Sequence, residues 1–583
     1  MAFLVSRART SIALSLVTKH RASWLVASLI SAGALASGYG CGDDAGASLF
    51  SNGDSDGGGS DAIVGTTDGQ GFGTGGPHTD FPASPILDTP DGGAAPPPNS
   101  AALFGAATTA SSGGPCLMEP EVGAMYPKNW LRPRFRWIGD QALAQDPGVD
   151  AGPSDGGVSE NLFEIRVHAD NQVNDLVVYT TASDWYMPAG MWDSLRMDSA
   201  GVPMTVSVRG GAWDGTTLSS VSAGSSGPMT IAPVDAPGTI VYWTTTSGGP
   251  GSDSTDEYNP ALKGFRVGDE AVEDVLVPSQ VNPLSDGGAG TTLCFGCHNS
   301  SPDGDYVAIS ARDHNPGGPP TTIAFASVDG TGKPPPAGYV SPAAQILLNR
   351  VEQDLPVFSP AHFKTGDRVA VSMYSPSQSG PFEIAWTDLE AASVDAGTGI
   401  FARTGDANHA ALANMSHDGS SILYVSTTDS DTAGTTPTNG ALYTIPYNNR
   451  MGGNATEVAG ANDPAFVSGY PSYSPDDQFI AYTRDPVGTS TYDNPQEQIY
   501  VIPNTGGSPT RLTANDPPAC SGAPAARGYY DSWPKWSPSV RTDSGNRYYF
   551  LVFSSQRNYG TKRFGARLYI TPIVVDASGK ITT

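Results

Sequence analysis

The chain has few charged side chains, few basic ones in particular, and only five cysteines. Charged residues make up 15% of its 583 positions, and 58 acidic residues outnumber 31 basic ones, which gives a net charge of -27. A protein this acidic repels phosphate backbones, so nucleic acid is excluded as an expected partner. The abundant glycine (70) and proline (49) indicate turn-rich β-structure and linkers instead of a helical bundle. The length favours two or three domains.

Residues 1–40 have the pattern of a secretory signal peptide. The first 21 residues carry four arginines and lysines and no acidic residue, and an apolar run from Ala22 to Leu35 follows. A basic region, an apolar stretch shorter than a membrane span and a small-residue cleavage region predict export and removal of this segment.

The cleavage region Gly38-Tyr39-Gly40-Cys41 resembles that of bacterial lipoproteins, although leucine is usual three positions before the cysteine. The resemblance implies that Cys41 is acylated and anchors the chain to a membrane of the bacterial envelope, facing the periplasm or the cell surface. The alternative is ordinary cleavage nearby, with Cys41 left as a thiol.

Residues 41–114 are dominated by Gly, Ser, Asp, Ala, Thr and Pro. Such a composition buries too little apolar surface to offset chain entropy, so the segment is predicted to be a disordered tether.

Residues 115–236 show the alternation of strands that are buried on one face. Phe163, Ile165 and Val167 alternate with polar residues, among them Glu164. Turn signals flank these runs, and the length suits a β-sandwich. The opening of this region is similar to a fibronectin type III or immunoglobulin-like module, which implies a binding or spacing role.

Residues 237–583 contain an internal repeat, whose mark is a Ser-Pro-Asp-Gly-like tetrapeptide. Its first residues are 57 to 63 positions apart, and each copy precedes a β-rich run. The copies begin at Ser301, Ser359, Ser416, Ser474 and Ser537. The tetrapeptide is predicted to turn the chain between two antiparallel strands, and the large residue before its serine is predicted to pack between neighbouring repeats. With a partial unit at 239–243, the pattern predicts about six blades of a β-propeller, and hence an all-β chain.

An aromatic residue before Ser-Pro-Asp-Gly resembles the TolB-type propeller repeat. Members of that family serve as protein-interaction platforms or precede a prolyl-oligopeptidase-type hydrolase domain. No Gly-X-Ser-X-Gly nucleophile elbow follows the last repeat. A binding role is therefore expected in preference to an enzymatic one.

The segment Cys294-Phe295-Gly296-Cys297-His298 resembles the haem-attachment motif of c-type cytochromes. The resemblance implies that Cys294 and Cys297 bind haem c covalently and that His298 is the proximal ligand of its iron. His409, which opens another repeat, is the first candidate for the distal ligand. The alternatives are a structural Cys294–Cys297 disulfide, or metal-bound or free thiols. Cys116 and Cys520 then remain, and these two can form a disulfide in an oxidising compartment.

Two functional hypotheses follow. In the first, an envelope lipoprotein carries haem c on its propeller for electron transfer or redox sensing, with envelope redox proteins as partners. In the second, the chain is a non-catalytic scaffold that binds protein or glycan, and Cys294–Cys297 is a structural disulfide.

Overall fold

The structure is a computed structural model. It describes residues 80–110, 113–139, 160–246, 259–277, 280, 292–313, 322–350, 355–375, 382–429, 436–491, 494–516, 530–557 and 566–582. The predicted signal peptide, the predicted acylation site Cys41 and Cys520 lie outside these residues. None of the described helices is long and apolar enough to cross a membrane.

The N-terminal domain is a β-sandwich, as predicted. One sheet has the strand order β1-β6-β5-β8-β9-β3 and the other the order β2-β4-β7. Trp137 and Trp185 of the smaller sheet share one core with Ile165, Val167 and Val206 of the larger sheet. The strands are β1 (Ile86–Leu87), β2 (Cys116–Glu119), β3 (Met125–Tyr126), β4 (Arg134–Ile138), β5 (Leu162–Ala169), β6 (Leu176–Thr180), β7 (Asp184–Tyr186), β8 (Met204–Trp213) and β9 (Leu218–Ile231), and the helices are α1 (Ser100–Ala106) and α2 (Ala189–Asp198).

The predicted tether is wrong for residues 80–110, which are folded onto the sandwich. Strand β1 pairs in parallel with β6, and Phe81 enters the sandwich core. Helix α1 packs Phe104 against Tyr179 of β6, with the ring centroids 5.5 Å apart. A few large side chains spaced along a polar segment are enough to hold it, because the rest of the domain supplies the surface that they bury.

This segment also explains why Glu164 is buried, although the alternation of β5 placed it on a polar face. Its carboxylate accepts hydrogen bonds from Arg209 Nε and Nη2, both at 2.9 Å, and from the Tyr179 hydroxyl at 2.8 Å. The Arg209 guanidinium in turn lies over the ring of Phe104. The segment therefore covers an ion pair that would otherwise face water.

The second domain consists of six successive sheets, which are called blades 1 to 6. Blade 1 is β10-β11-β12, blade 2 is β13-β14-β15 and blade 3 is β16-β17-β18-β19. Blade 4 is β21-β22-β23-β25, blade 5 is β26-β27-β28-β29, and blade 6 is β30-β32-β33-β34 with β31 paired to β32. Their neighbouring strands are antiparallel, and β20 and β24 form a separate parallel pair.

The strand bounds in blades 1 to 3 are β10 (Thr239–Thr246), β11 (Asn259–Arg266), β12 (Glu273–Leu276), β13 (Thr292–Ser300), β14 (Tyr306–Asp313), β15 (Thr322–Ser327), β16 (Phe363–Lys364), β17 (Asp367–Tyr374), β18 (Glu383–Asp388) and β19 (Thr398–Ile400), with helix α3 (Pro342–Leu348) between blades 2 and 3. From blade 4 onward, with the β20–β24 pair, they are β20 (Ala402–Thr404), β21 (His409–Met415), β22 (Ser421–Thr427), β23 (Ala441–Pro446), β24 (Gly452–Asn454), β25 (Thr456–Glu457), β26 (Phe466–Tyr473), β27 (Phe479–Pro486), β28 (Gln498–Pro503), β29 (Thr510–Arg511), β30 (Ser532–Trp536), β31 (Arg541–Asp543), β32 (Asn546–Ser555), β33 (Arg567–Val575) and β34 (Ile581–Thr582).

The six blades close into a ring, because every neighbouring pair shares an apolar cluster. Val241 of blade 1 packs with Ile309 of blade 2, and similar clusters join each later blade to the next. The last cluster joins Phe550 of blade 6 to Ile240 and Val267 of blade 1. A sheet that is apolar on both faces must be covered on both, and this radial arrangement does so for all six. The domain is therefore a six-bladed β-propeller.

The tetrapeptides form the predicted turns. In blade 4 the Ser416 hydroxyl donates to Asp418 at 2.7 Å and accepts from the backbone N–H of Ser421 at 3.0 Å. The large residues that precede the serines fill the interfaces between blades, also as predicted. They are Phe358, Met415, Tyr473 and Trp536.

Candidate functional site

The Cys294–His298 segment lies inside β13, the first strand of blade 2. Phe295 pairs with Ala311 and His298 with Ile309, so Gly296 and Cys297 form a β-bulge between them. Register shifts also occur in the first strands of blades 4, 5 and 6. The motif therefore lies at a register shift in the first strand of its blade, and other blades form such a shift without cysteine.

Cys297 points into the interface between blades 2 and 3. It is 3% exposed and packs in one cluster with Ala308, Phe325 and Phe358. Its sulfur is a thiol. The alternative prediction of a Cys294–Cys297 disulfide is therefore wrong for this structure. The extended backbone of β13 holds positions 294 and 297 apart, and the side chain of Cys297 packs in the interface between blades 2 and 3.

His298 points toward the other face of blade 2. It is 2% exposed and lies directly opposite Ile309, which packs against blade 1. Directly paired residues of an antiparallel ladder have their side chains on the same face, so His298 also faces blade 1. Cys297 and His298 thus lie on opposite sides of a buried sheet. A haem c would need both on one side, beside an open cavity, so these residues do not fit the group.

His409, the predicted distal ligand, opens the first strand of blade 4. It lies seven residues before the serine of its tetrapeptide, which is also the position of Cys294 in blade 2. Its Nδ1 accepts a hydrogen bond from the backbone N–H of Phe382 at 3.1 Å. This contact assigns His409 a local role at the start of the strand. The side chain of Cys294 lies outside the described residues.

Cys116 is disulfide-bonded and almost fully buried in the first strand of the sandwich. The other cysteine of that bond is not among those with described side chains, so pairing with Cys520 stays a prediction. One contact favours it. Arg557 binds Glu121, close to Cys116, and also binds Ala514 and Asp531, which flank the segment that contains Cys520.

Arg557 is one of the residues that join the two domains. Its side chain is 2% exposed, and Nη2 donates to both carboxylate oxygens of Asp531 at 2.9 Å. Nη1 donates to Glu121 of the sandwich at 3.1 Å. The guanidinium also lies over the ring of Tyr569. A buried cation therefore links blade 6 to the sandwich, in addition to the apolar cluster in which Met125 and Trp130 pack with Phe550.

A pair of buried carboxylates, Asp485 and Glu497, lies between blades 5 and 6. Thr483 pairs with Ile499, and continuation of that register places Asp485 directly opposite Glu497. Burial raises the pKa of Asp485 to about 8, and burial beside Asp485 raises the pKa of Glu497 well above its usual range. The sequence alone did not reveal this pair. The available signal was an acidic residue at the end of the buried run Phe479–Tyr482, on the same face as Phe479 and Ala481.

Comparison with known proteins gives only distant likenesses. No family model and no curated protein matches the chain. Similar solved structures include TolB from Acinetobacter baumannii, at 13% identity and a TM-score of 0.32, over 64% of this chain and 79% of that one. Prolyl oligopeptidase B from Galerina marginata has 12% identity and a TM-score of 0.28, over 56% of this chain and 40% of that one.

A third similar structure is oligogalacturonate lyase from Vibrio parahaemolyticus, at 10% identity and a TM-score of 0.26, over 55% of this chain and 85% of that one. The chain thus spans less than half the length of the prolyl oligopeptidase. The propeller assignment rests on the ring of blade contacts.

Proposed function

We propose that the chain is an exported lipoprotein of the bacterial envelope whose propeller is a non-catalytic platform for binding another protein or a glycan. The observation that carries the proposal is the closed ring of six blades, fastened to the sandwich through Arg557. A closed, rigid propeller presents loops on both of its end surfaces, and such loops can bind a partner without a conformational change of the blades. In this proposal the signal segment directs export and Cys41 anchors the chain to the membrane. The residues after Cys41 are the spacer between the anchor and the folded domains.

The haem-carrying hypothesis rests on the Cys294–His298 motif alone. To accommodate a haem, β13 would have to leave its place between β14 and the neighbouring blades, which would break the clusters on both faces of blade 2. Close-packed interiors resist such a change. The platform is therefore the better supported of the two functions.

Photo-crosslinking in intact exporting cells tests the platform. A photo-reactive amino acid replaces Asp305, Ser420 or Gln478 on the tetrapeptide face of the ring, or Thr428 on the opposite face, all of them exposed. Val173 of the sandwich, 81% exposed, is the matched control. We expect a discrete adduct from at least one face of the ring, stronger than any from Val173. Exported, folded protein that gives no adduct from either face would contradict the proposal.

A further inference from the structure

The oxygens around Asp485 and Glu497 are buried to an unusual degree. Asp485 is fully buried, and Glu497 is 1% exposed. In the part of the chain that the structure describes, neither carboxylate oxygen of Asp485 has a hydrogen-bond partner, and neither has Oε2 of Glu497. The other oxygen of Glu497 accepts from the Ser532 hydroxyl of blade 6 at 2.7 Å. Buried polar atoms are normally paired, so three carboxylate oxygens without partners require an explanation.

Two threonine hydroxyls of blade 5, those of Thr483 and Thr491, are likewise buried with no hydrogen-bond partner among the described residues. Thr483 is near both Asp485 and Glu497 but does not reach hydrogen-bond geometry with either. An added Cβ at Gly469 would come within 2.8 Å of the Thr483 hydroxyl and 3.1 Å of the Cβ and methyl carbon of Thr491. The glycine therefore leaves space beside the Thr483 hydroxyl.

None of the charged groups that act most strongly on the two carboxylates is basic. The charged groups that act most strongly on Glu497 are Asp485 and Asp531, both acidic. Arg557 is already engaged by Asp531 and Glu121, and Arg484 donates to the carbonyl of Gly460. Like charges directly opposite each other in a ladder repel, and burial strengthens that repulsion.

We propose that Asp485, Glu497 and Thr483 bind one calcium ion between blades 5 and 6. Two carboxylates match the charge of a divalent cation, and hydroxyl oxygens are ligands that a hard cation accepts. Calcium suits a fully buried site better than magnesium, since it tolerates irregular coordination and gives up its water more readily. A proton shared by the two carboxylates would join one oxygen of each, whereas a cation can also bind the third unpaired carboxylate oxygen and the Thr483 hydroxyl. No set of three acidic, His or Cys side chains forms a metal cage within the described residues, so the Thr483 hydroxyl is essential to this site.

The role of the ion would be to hold the ring together. Asp485 and Thr483 belong to β27, Glu497 immediately precedes β28, and the Ser532 hydroxyl that donates to Glu497 belongs to blade 6. The site continues the apolar layer of Phe479, Ala481, Ile499 and Val501, which packs against blade 6. Binding at this point would stabilise the native ring by mass action.

Calcium binding by the full-length exported protein tests the site. After dialysis against EGTA, the wild type is titrated with calcium by calorimetry and by thermal denaturation. We expect one ion per chain and a rise in Tm of about 4 °C at calcium about 100-fold above the Kd. Wild-type protein that neither retains nor binds calcium would overturn the proposal and leave the shared proton as the explanation.

Two variants locate the ion. Glu497→Gln should abolish the calcium-dependent rise in Tm without lowering the Tm of the calcium-free protein, because it removes one of two repelling charges. Asp406→Asn is the matched control, since Asp406 is a buried carboxylate of blade 4 that is already paired with Arg403 and Tyr424. It should lower the Tm with and without calcium and keep the rise. A rise that persists in Glu497→Gln would place the ion elsewhere and overturn the assignment.

Discussion

Replacement of Arg557 by methionine is expected to lower the free energy of unfolding by about 3–5 kcal/mol. The variant keeps a long apolar side chain against Tyr569, but it leaves Asp531 buried and without its bidentate partner. Burial already raises the pKa of the Asp531 carboxyl, and Arg557 opposes that rise. Loss of the guanidinium therefore leaves an uncompensated carboxylate close to Glu497. Urea denaturation of wild type and variant measures the difference.

Two further substitutions make this result specific. Arg557→Lys keeps the charge but not the planar fork, so it should fall between the wild type and the methionine variant. Arg511→Met is the matched control in blade 5. Its partner Asp516 is more than half exposed, so the loss should stay below about 1 kcal/mol. Equal losses in Arg557→Met and Arg511→Met would show that the junction with the sandwich contributes no special stability.

Phe550→Ala should cost about 3–5 kcal/mol and should loosen blade 1 before the rest of the ring. Phe550 is fully buried in the cluster that joins blade 6 to Ile240 and Val267 of blade 1. The cavity left by the missing phenyl group would remove a contact that holds blade 6 against blade 1 and so closes the propeller. Hydrogen exchange should therefore accelerate in β10 and β11 more than in blades 3 and 4.

Leu568→Ala provides the control for Phe550 in the same blade. Leu568 is 39% exposed, so its truncation should change the free energy of unfolding by no more than about 0.5 kcal/mol. If Phe550→Ala behaved like Leu568→Ala, or if exchange in β10 and β11 stayed unchanged, the first and last blades would not depend on each other.

The propeller could be predicted from the sequence because its determinants are local and repeated. Each tetrapeptide makes its own turn, and each large residue before the serine meets an equivalent environment in the next interface. The alternation in β5 predicted the sandwich for the same reason. These patterns are short-range, so a single sequence contains them.

The features that the sequence analysis missed depend on partners far along the chain. Phe104 orders the segment that was predicted to be a tether, but it does so against Tyr179 of a later strand. Arg557 contacts Glu121 across 436 positions. Asp485 and Glu497 become neighbours only through the register of β27 and β28. Composition and periodicity carry no information about such pairings.

The Cys294–His298 motif illustrates the opposite error, in which a short pattern predicts more than its surroundings allow. Two cysteines and a histidine at this spacing need a local conformation that brings the three side chains to one haem. A strand turns successive side chains to opposite faces, and here each face is covered by a neighbouring blade. The placement of the motif in the repeat, and not its composition, decides between the two hypotheses.

The intact mass of the mature protein tests the central claim most directly. The full-length chain is produced in a bacterial host that exports lipoproteins and matures c-type cytochromes. We predict a mass that corresponds to an acylated chain beginning at Cys41, with no Soret absorbance and with an alkylatable thiol at Cys297 after unfolding. A mass increased by roughly 600 Da that survives reduction, together with a Soret band, would identify covalent haem and contradict the account.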